Sequence, residues 1–134
     1  MTLTRHDIRK AAFQTLFAVR SNADADPKQV MLQVLDAEEQ TDSALPEYLV
    51  TLVEGVIKHE DELNDAISNY LKKGWTVKRL NKTDLLILQI AVFEIKYVTD
   101  IPAKVSINEA LQLAKEFSDD KSRGFINGVL ANLI

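Results

Sequence analysis

The sequence predicts an all-α protein of about seven helices, and three observations lead there. Long segments repeat their apolar residues at the spacing of a helix with one buried face. No window alternates polar and apolar residues for long enough to suggest a half-buried strand. Only 4 glycines and 3 prolines occur in 134 residues, so few positions force the chain out of helical geometry. The apolar share of 46% lets a single domain of this length bury a core.

The first helix is expected to start at Thr4, with Asp7 three residues on to complete a capping box. Ile8, Ala12, Leu16 and Val19, with Phe13 and Phe17 beside them, give it a wide core face. Ser21 to Asp26 reads as a loop. Asp26 and Pro27 then suit the cap and first position of a short helix whose apolar side is Val30, Met31, Val34 and Leu35. Glu38 to Ser43 reads as a polar connector. Pro46 opens a long segment in which Leu49, Leu52, Val53, Val56, Ile57, Leu63, Ile67, Tyr70 and Leu71 stay near one face. It is one helix, or two joined near His59, with Gly55 allowing close packing.

Lys73-Gly74-Trp75 is expected to end that segment, with Gly74 as the C-cap. Residues 75–82 join the two halves. Thr83 or Asp84 is expected to cap the next helix, which is apolar almost all round from Leu85 to Ile95 and so reads as a buried central one. Pro102 starts the sixth, with Ala103, Ile107, Ala110, Leu111, Ala114 and Phe117 facing the core. Ser122 is expected to cap the seventh, which buries Phe125, Ile126, Val129, Leu130 and Leu133. Trp75 and the phenylalanines are assigned to the core rather than to base-stacking platforms, with Phe17 and Phe125 the open cases.

The formal net charge of −4 conceals an asymmetry. Residues 1–20 carry 4 cations against one acid, whereas residues 21–66 carry 2 lysines against 12 acids. Residues 67–134 return to an excess of positive charge, with 10 basic and 7 acidic side chains. An acidic whole is compatible with binding a polyanion, because the polymer responds to the field of one face. The absence of cysteine excludes a disulfide framework, thiolate metal sites and a cysteine nucleophile. No apolar run follows Met1, so no secretory leader is expected. The longest apolar stretch, Leu85 to Val98, contains Gln89, Glu94 and Lys96 and is too short to span a bilayer. A cytoplasmic protein with no membrane contact is the expectation.

Arg5, His6, Arg9, Lys10 and Gln14 form the sharpest local signal. Arg5 and Arg9 lie four apart, as do His6, Lys10 and Gln14, so they make two adjacent rows beside the core face of the first helix. Cations there oppose the helix dipole, and a broken local rule often marks a functional surface. A second basic group, Lys121, Ser122 and Arg123, sits near the start of the last helix, where free amides favour phosphate. Asp119 and Asp120 are adjacent in a loop and do not converge as an acid–base pair would. His6 and His59 lie apart and have no cysteine partner. No glycine-rich phosphate loop, serine elbow or paired-histidine zinc motif is present. No catalytic residue, metal site or cofactor is therefore expected.

Matching pieces of a known family then run in order along the whole chain. They are Arg5-His6-x-x-Arg9 with Ala12-x-Gln14-x-Leu16-Phe17, Leu52-Val53-x-Gly55-Val56, Trp75 with Arg79-Leu80, and Ile90-Ala91-x-Phe93-Glu94. Ile101-Pro102-x-Lys104-Val105-x-Ile107-Asn108-Glu109-Ala110 and Phe125-x-Asn127-Gly128-Val129-Leu130 close the series. In these the chain resembles the NusB family of bacterial transcription antitermination factors.

The resemblance implies one NusB-like domain over residues 1–134, built as two packed three-helix bundles, about 1–74 and about 75–134. It implies no enzymatic activity. It implies binding of the boxA element of leader RNA in ribosomal RNA operons, jointly with NusE, a ribosomal small-subunit protein. NusA, NusG and RNA polymerase would join the larger complex. On this resemblance Arg5, His6, Arg9, Lys10 and Gln14 meet RNA, as do Lys121, Ser122, Arg123 and Phe125. Phe17 and Asp84 would face the partner protein. Phe17 stands where relatives often hold tyrosine, and Lys121 where some hold an acid. The alternatives are a protein-binding helical scaffold without RNA contact and the accessory domain of an RNA methyltransferase.

Overall fold

The structure, a computed structural model, describes residues 3–35 and 45–133; the expected connector Glu38 to Ser43 lies outside them. The described residues form seven α-helices and two short 3-10 turns, with no strand. The chain divides into two compact units, Met1–Gly55 and Val56–Ile134. The division falls inside a helix rather than at the glycine turn near residue 74.

The first unit begins with α1 (Arg5–Ser21). The Thr4 hydroxyl accepts the Asp7 amide at 3.0 Å, and the Asp7 carboxylate accepts the Thr4 amide at 3.0 Å. The expected capping box is thus complete, even with the shorter acid. Hydrogen bonding from the Thr4 backbone holds the Asp7 carboxyl below its ordinary value. Thr4→Ala should cost about 1 kcal/mol in urea unfolding at neutral pH. The acidic half of the box has its own pH dependence. Stability contributed by Asp7 is complete above about pH 3.8 and is lost as pH falls through its lower folded value.

Helix α2 (Pro27–Val34) starts as expected, with the Asp26 side chain accepting the Lys28 amide at 3.4 Å and Pro27 at the first position. It packs against α1 and buries Met31. Helix α3 (Glu47–Lys58) buries Leu49, Leu52, Val53 and Val56. It crosses from the first unit into the second.

The long segment is two helices, broken at His59. α4 (Glu60–Ser68) restarts with Glu60, Asp61 and Glu62 in its first turn, where carboxylates meet the positive end of the dipole. It ends earlier than the sequence suggested. Gly74 is not its cap but occupies a separate turn, closed by the Trp75 amide on the Lys72 carbonyl at 3.0 Å. A φ of +93° there favours glycine. A 3-10 turn, Val77–Arg79, leads into α5.

Helix α5 (Lys82–Tyr97) is the central helix that its all-round apolarity predicted: every residue from Leu86 to Glu94 is buried. It packs against α4, α6 (Ala103–Phe117) and α7 (Asp120–Leu130). The buried Gln89 amide is satisfied by Asn64 on α4 at 2.7 Å. On α6, Leu113 is buried where Leu111 was expected, with Ser106, Ile107, Ala110 and Ala114. A second 3-10 turn, Ala131–Leu133, follows α7.

Two caps differ from expectation. Asn81, not Thr83 or Asp84, caps α5, its side-chain oxygen accepting the Asp84 amide at 2.8 Å. Asp119, not Ser122, caps α7, accepting the Ser122 amide at 2.8 Å.

Candidate nucleic-acid interface

Helix geometry separates the two cationic rows of α1. Continued down the helix, the row through Arg5 and Arg9 reaches Phe13 and Leu16, both buried. Arg9 follows them inward and is only 3% exposed, which corrects its expected place on the surface. The neighbouring row runs from half-buried His6 through Lys10 and Gln14, both exposed, to Phe17. Phe17 is 37% exposed, with its ring centroid 6.0 Å from that of Phe13. Arg5, at the helix start, remains exposed, its guanidinium carbon 4.3 Å from the centre of the Tyr48 ring. An aromatic face steadies the charge without consuming its N–H donors.

The second basic group, in the C-terminal unit, is less available than the sequence suggested. The Ser122 amide is held by Asp119, and its hydroxyl donates to the Asp84 carboxylate at 3.0 Å. Arg123 lies 3.2 Å from Asp120 in an exposed ion pair, one of the kind that contributes little to stability. Lys121 is exposed and Phe125 half-buried.

Asp84 was expected to face a partner protein, but it is 6% exposed. Besides Ser122, its carboxylate accepts the Asn81 side-chain amide at 3.3 Å and the Ser118 hydroxyl at 3.5 Å. These bonds tie the start of α5 to the segment between α6 and α7. A buried carboxylate needs such donors, so this one is committed inside its own unit.

Sequence reasoning missed a cleft of about 360 Å³ beside this network. Trp75, Arg79, Leu80, Asp119, Lys121 and Phe125 are among the residues lining it. Trp75, assigned to the core from sequence, is 51% exposed. The signal was available: Lys72, Lys73, Lys78 and Arg79 surround it.

A further cluster joins α4 to α5. The Tyr97 hydroxyl donates to the Glu62 carboxylate at 2.5 and 2.6 Å. The Tyr97 ring stacks on His59 at 4.5 Å, and Lys96 lies 3.7 Å from Glu62. The hydroxyl bond lowers the Glu62 pKa and raises that of Tyr97. The Glu62 contribution is therefore complete above the ordinary glutamate value and fades as pH falls through its lower folded one. Tyr97 contributes below the ordinary tyrosine value and loses this as pH rises through its higher folded one. In Tyr97→Phe, the Glu62 carboxyl should titrate at higher pH, readable by NMR of its side-chain carbon.

Fold and surface define a class: an all-helical protein that sets cations and an aromatic ring along one helix face. Among its described residues no group of His, Cys, Asp and Glu could hold a metal ion, and no helix is long and apolar enough to cross a membrane. Comparison with known proteins narrows the class. The chain belongs to the NusB family, which it matches over residues 6–134. It is 56% identical to the transcription antitermination protein NusB of Ligilactobacillus salivarius strain UCC118, over 100% of both chains. It is similar in structure to T. maritima NusB, with a TM-score of 0.85 and 31% identity over 99% of this chain and 92% of that one. A structure of the antitermination factors NusB and NusE in complex with dsRNA shares the fold. Its TM-score is 0.80 at 23% identity, covering 96% of this chain and 94% of that one.

Proposed function

We propose that this chain is a cytoplasmic, non-catalytic transcription antitermination factor. It binds boxA leader RNA together with NusE and helps RNA polymerase, with NusA and NusG, to read through terminators in ribosomal RNA operons. Family membership supports the role, and the NusB–NusE structure with RNA supports the partners. The observation that carries the reading is the row of half-buried His6 and exposed Lys10, Gln14 and Phe17, with exposed Arg5 at its head. Cations there meet phosphates, and Gln14 and Phe17 offer a hydrogen bond and an apolar surface to bases. Within the second unit, Lys121 and Phe125 of α7 separately offer a charge and a ring. The buried Arg9 supports this surface from beneath rather than touching RNA.

The test is a titration of labelled boxA RNA with this protein, with and without NusE, at two salt concentrations. Binding that NusE strengthens and salt weakens is the expected result. Binding to NusE with no gain in RNA affinity would leave a protein-binding scaffold in its place.

A further inference from the structure

We infer that the cleft formed by Trp75, Arg79, Lys121 and Phe125 accepts one unstacked base of the bound single-stranded RNA, with Trp75 as its stacking platform. The inference rests on the proposed RNA-binding function and names a contact outside α1. Its first ground is the exposure of Trp75, a large flat side chain at the mouth of a cleft about 360 Å³ in volume.

The second ground is that this ring is held in place. The Arg79 guanidinium donates to the Gly74 carbonyl at 2.8 Å, and its central carbon lies 5.4 Å from the indole centroid. Gly74 keeps its positive φ in the same turn. Indole, guanidinium and turn thus form one preorganised wall, so little ordering remains for a ligand to impose.

The third ground is charge. Arg79 and Lys121 are balanced by Asp84 and Asp119 in the lining, so a bare phosphate gains little there. A base offers a π-face to Trp75 and Phe125 and needs no net charge in the cleft to bind there. Base–aromatic stacking of this kind tolerates any sequence, because every base has such a face. The cleft is continuous with Lys121 and Phe125 of the proposed RNA surface.

Trp75 is the only tryptophan in the chain, so the part of the fluorescence that Trp75→Phe removes reports on the cleft. Single-stranded boxA RNA should quench it in the protein–NusE pair. A duplex of the same length should not, since its bases are already stacked. Trp75→Ala should weaken single-strand binding about tenfold with an unchanged salt slope, because the lost contact carries no charge. Trp75→Phe should recover most of that loss. Wild-type binding that Trp75→Ala leaves unaltered would overturn the cleft inference and leave the function standing. Quenching by NusE but not by RNA would overturn it too, in favour of a protein side chain as occupant. Failure of the wild type to bind RNA under every condition would overturn both.

Discussion

Asp84→Ala should destabilise the protein by about 3 kcal/mol, through the loss of charge-assisted hydrogen bonds and the stranding of their donors. The Asp84 carboxylate accepts from Asn81, Ser118 and Ser122, and the residue is buried. Alanine would strand those donors and loosen the start of α5 from the start of α7. Asp84→Asn keeps an acceptor of the same shape and should lose less. Urea unfolding of the three proteins checks this, with the midpoint falling and the slope unchanged. An alanine variant within about 0.5 kcal/mol of wild type, the range of an ordinary surface substitution, would show that the carboxylate is not what holds this corner together.

The second large effect concerns RNA. Arg5→Ala combined with Lys10→Ala should lower the salt dependence of single-strand binding by about 1.4 logarithmic units, roughly 0.7 for each phosphate contact removed. Affinity should fall most at low salt and fold stability should change little, since both side chains are exposed. Arg9→Ala should behave in the opposite way. With 3% of its surface accessible, Arg9 belongs to the packing of α1, and its removal should lower thermal stability before it alters the salt slope. Unfolding and RNA titration on both variants separate the roles. An unchanged slope in the double variant would remove α1 from the interface.

Periodicity made the helices legible, and their failures are equally physical. Arg5 and Arg9 were read from their spacing as a row beside the core face. Extending the row by four and then three residues reaches Phe13 and Leu16, which places Arg9 on the core side. The two misplaced caps share a cause as well. In Asn81 with Asp84, and in Asp119 with Ser122, the residue chosen from sequence is the one whose amide is capped. The side chain that accepts lies three positions earlier. Trp75 was assigned to the core together with the phenylalanines, without weight given to its lysine-rich surroundings. The His59, Glu62 and Tyr97 cluster joins residues far apart in the chain, so no local pattern announces it.

Helix α5 has a consequence for how the C-terminal unit opens. It is walled on three sides by α4, α6 and α7, so its amides from Leu86 to Glu94 are shielded by every other major element of that unit. Local fraying cannot reach them, and deuterium should replace their protons only when the unit comes apart as a whole. The first turn of α1, closed by its own capping box but exposed to solvent, should exchange sooner, and a ligand seated on it would slow that exchange.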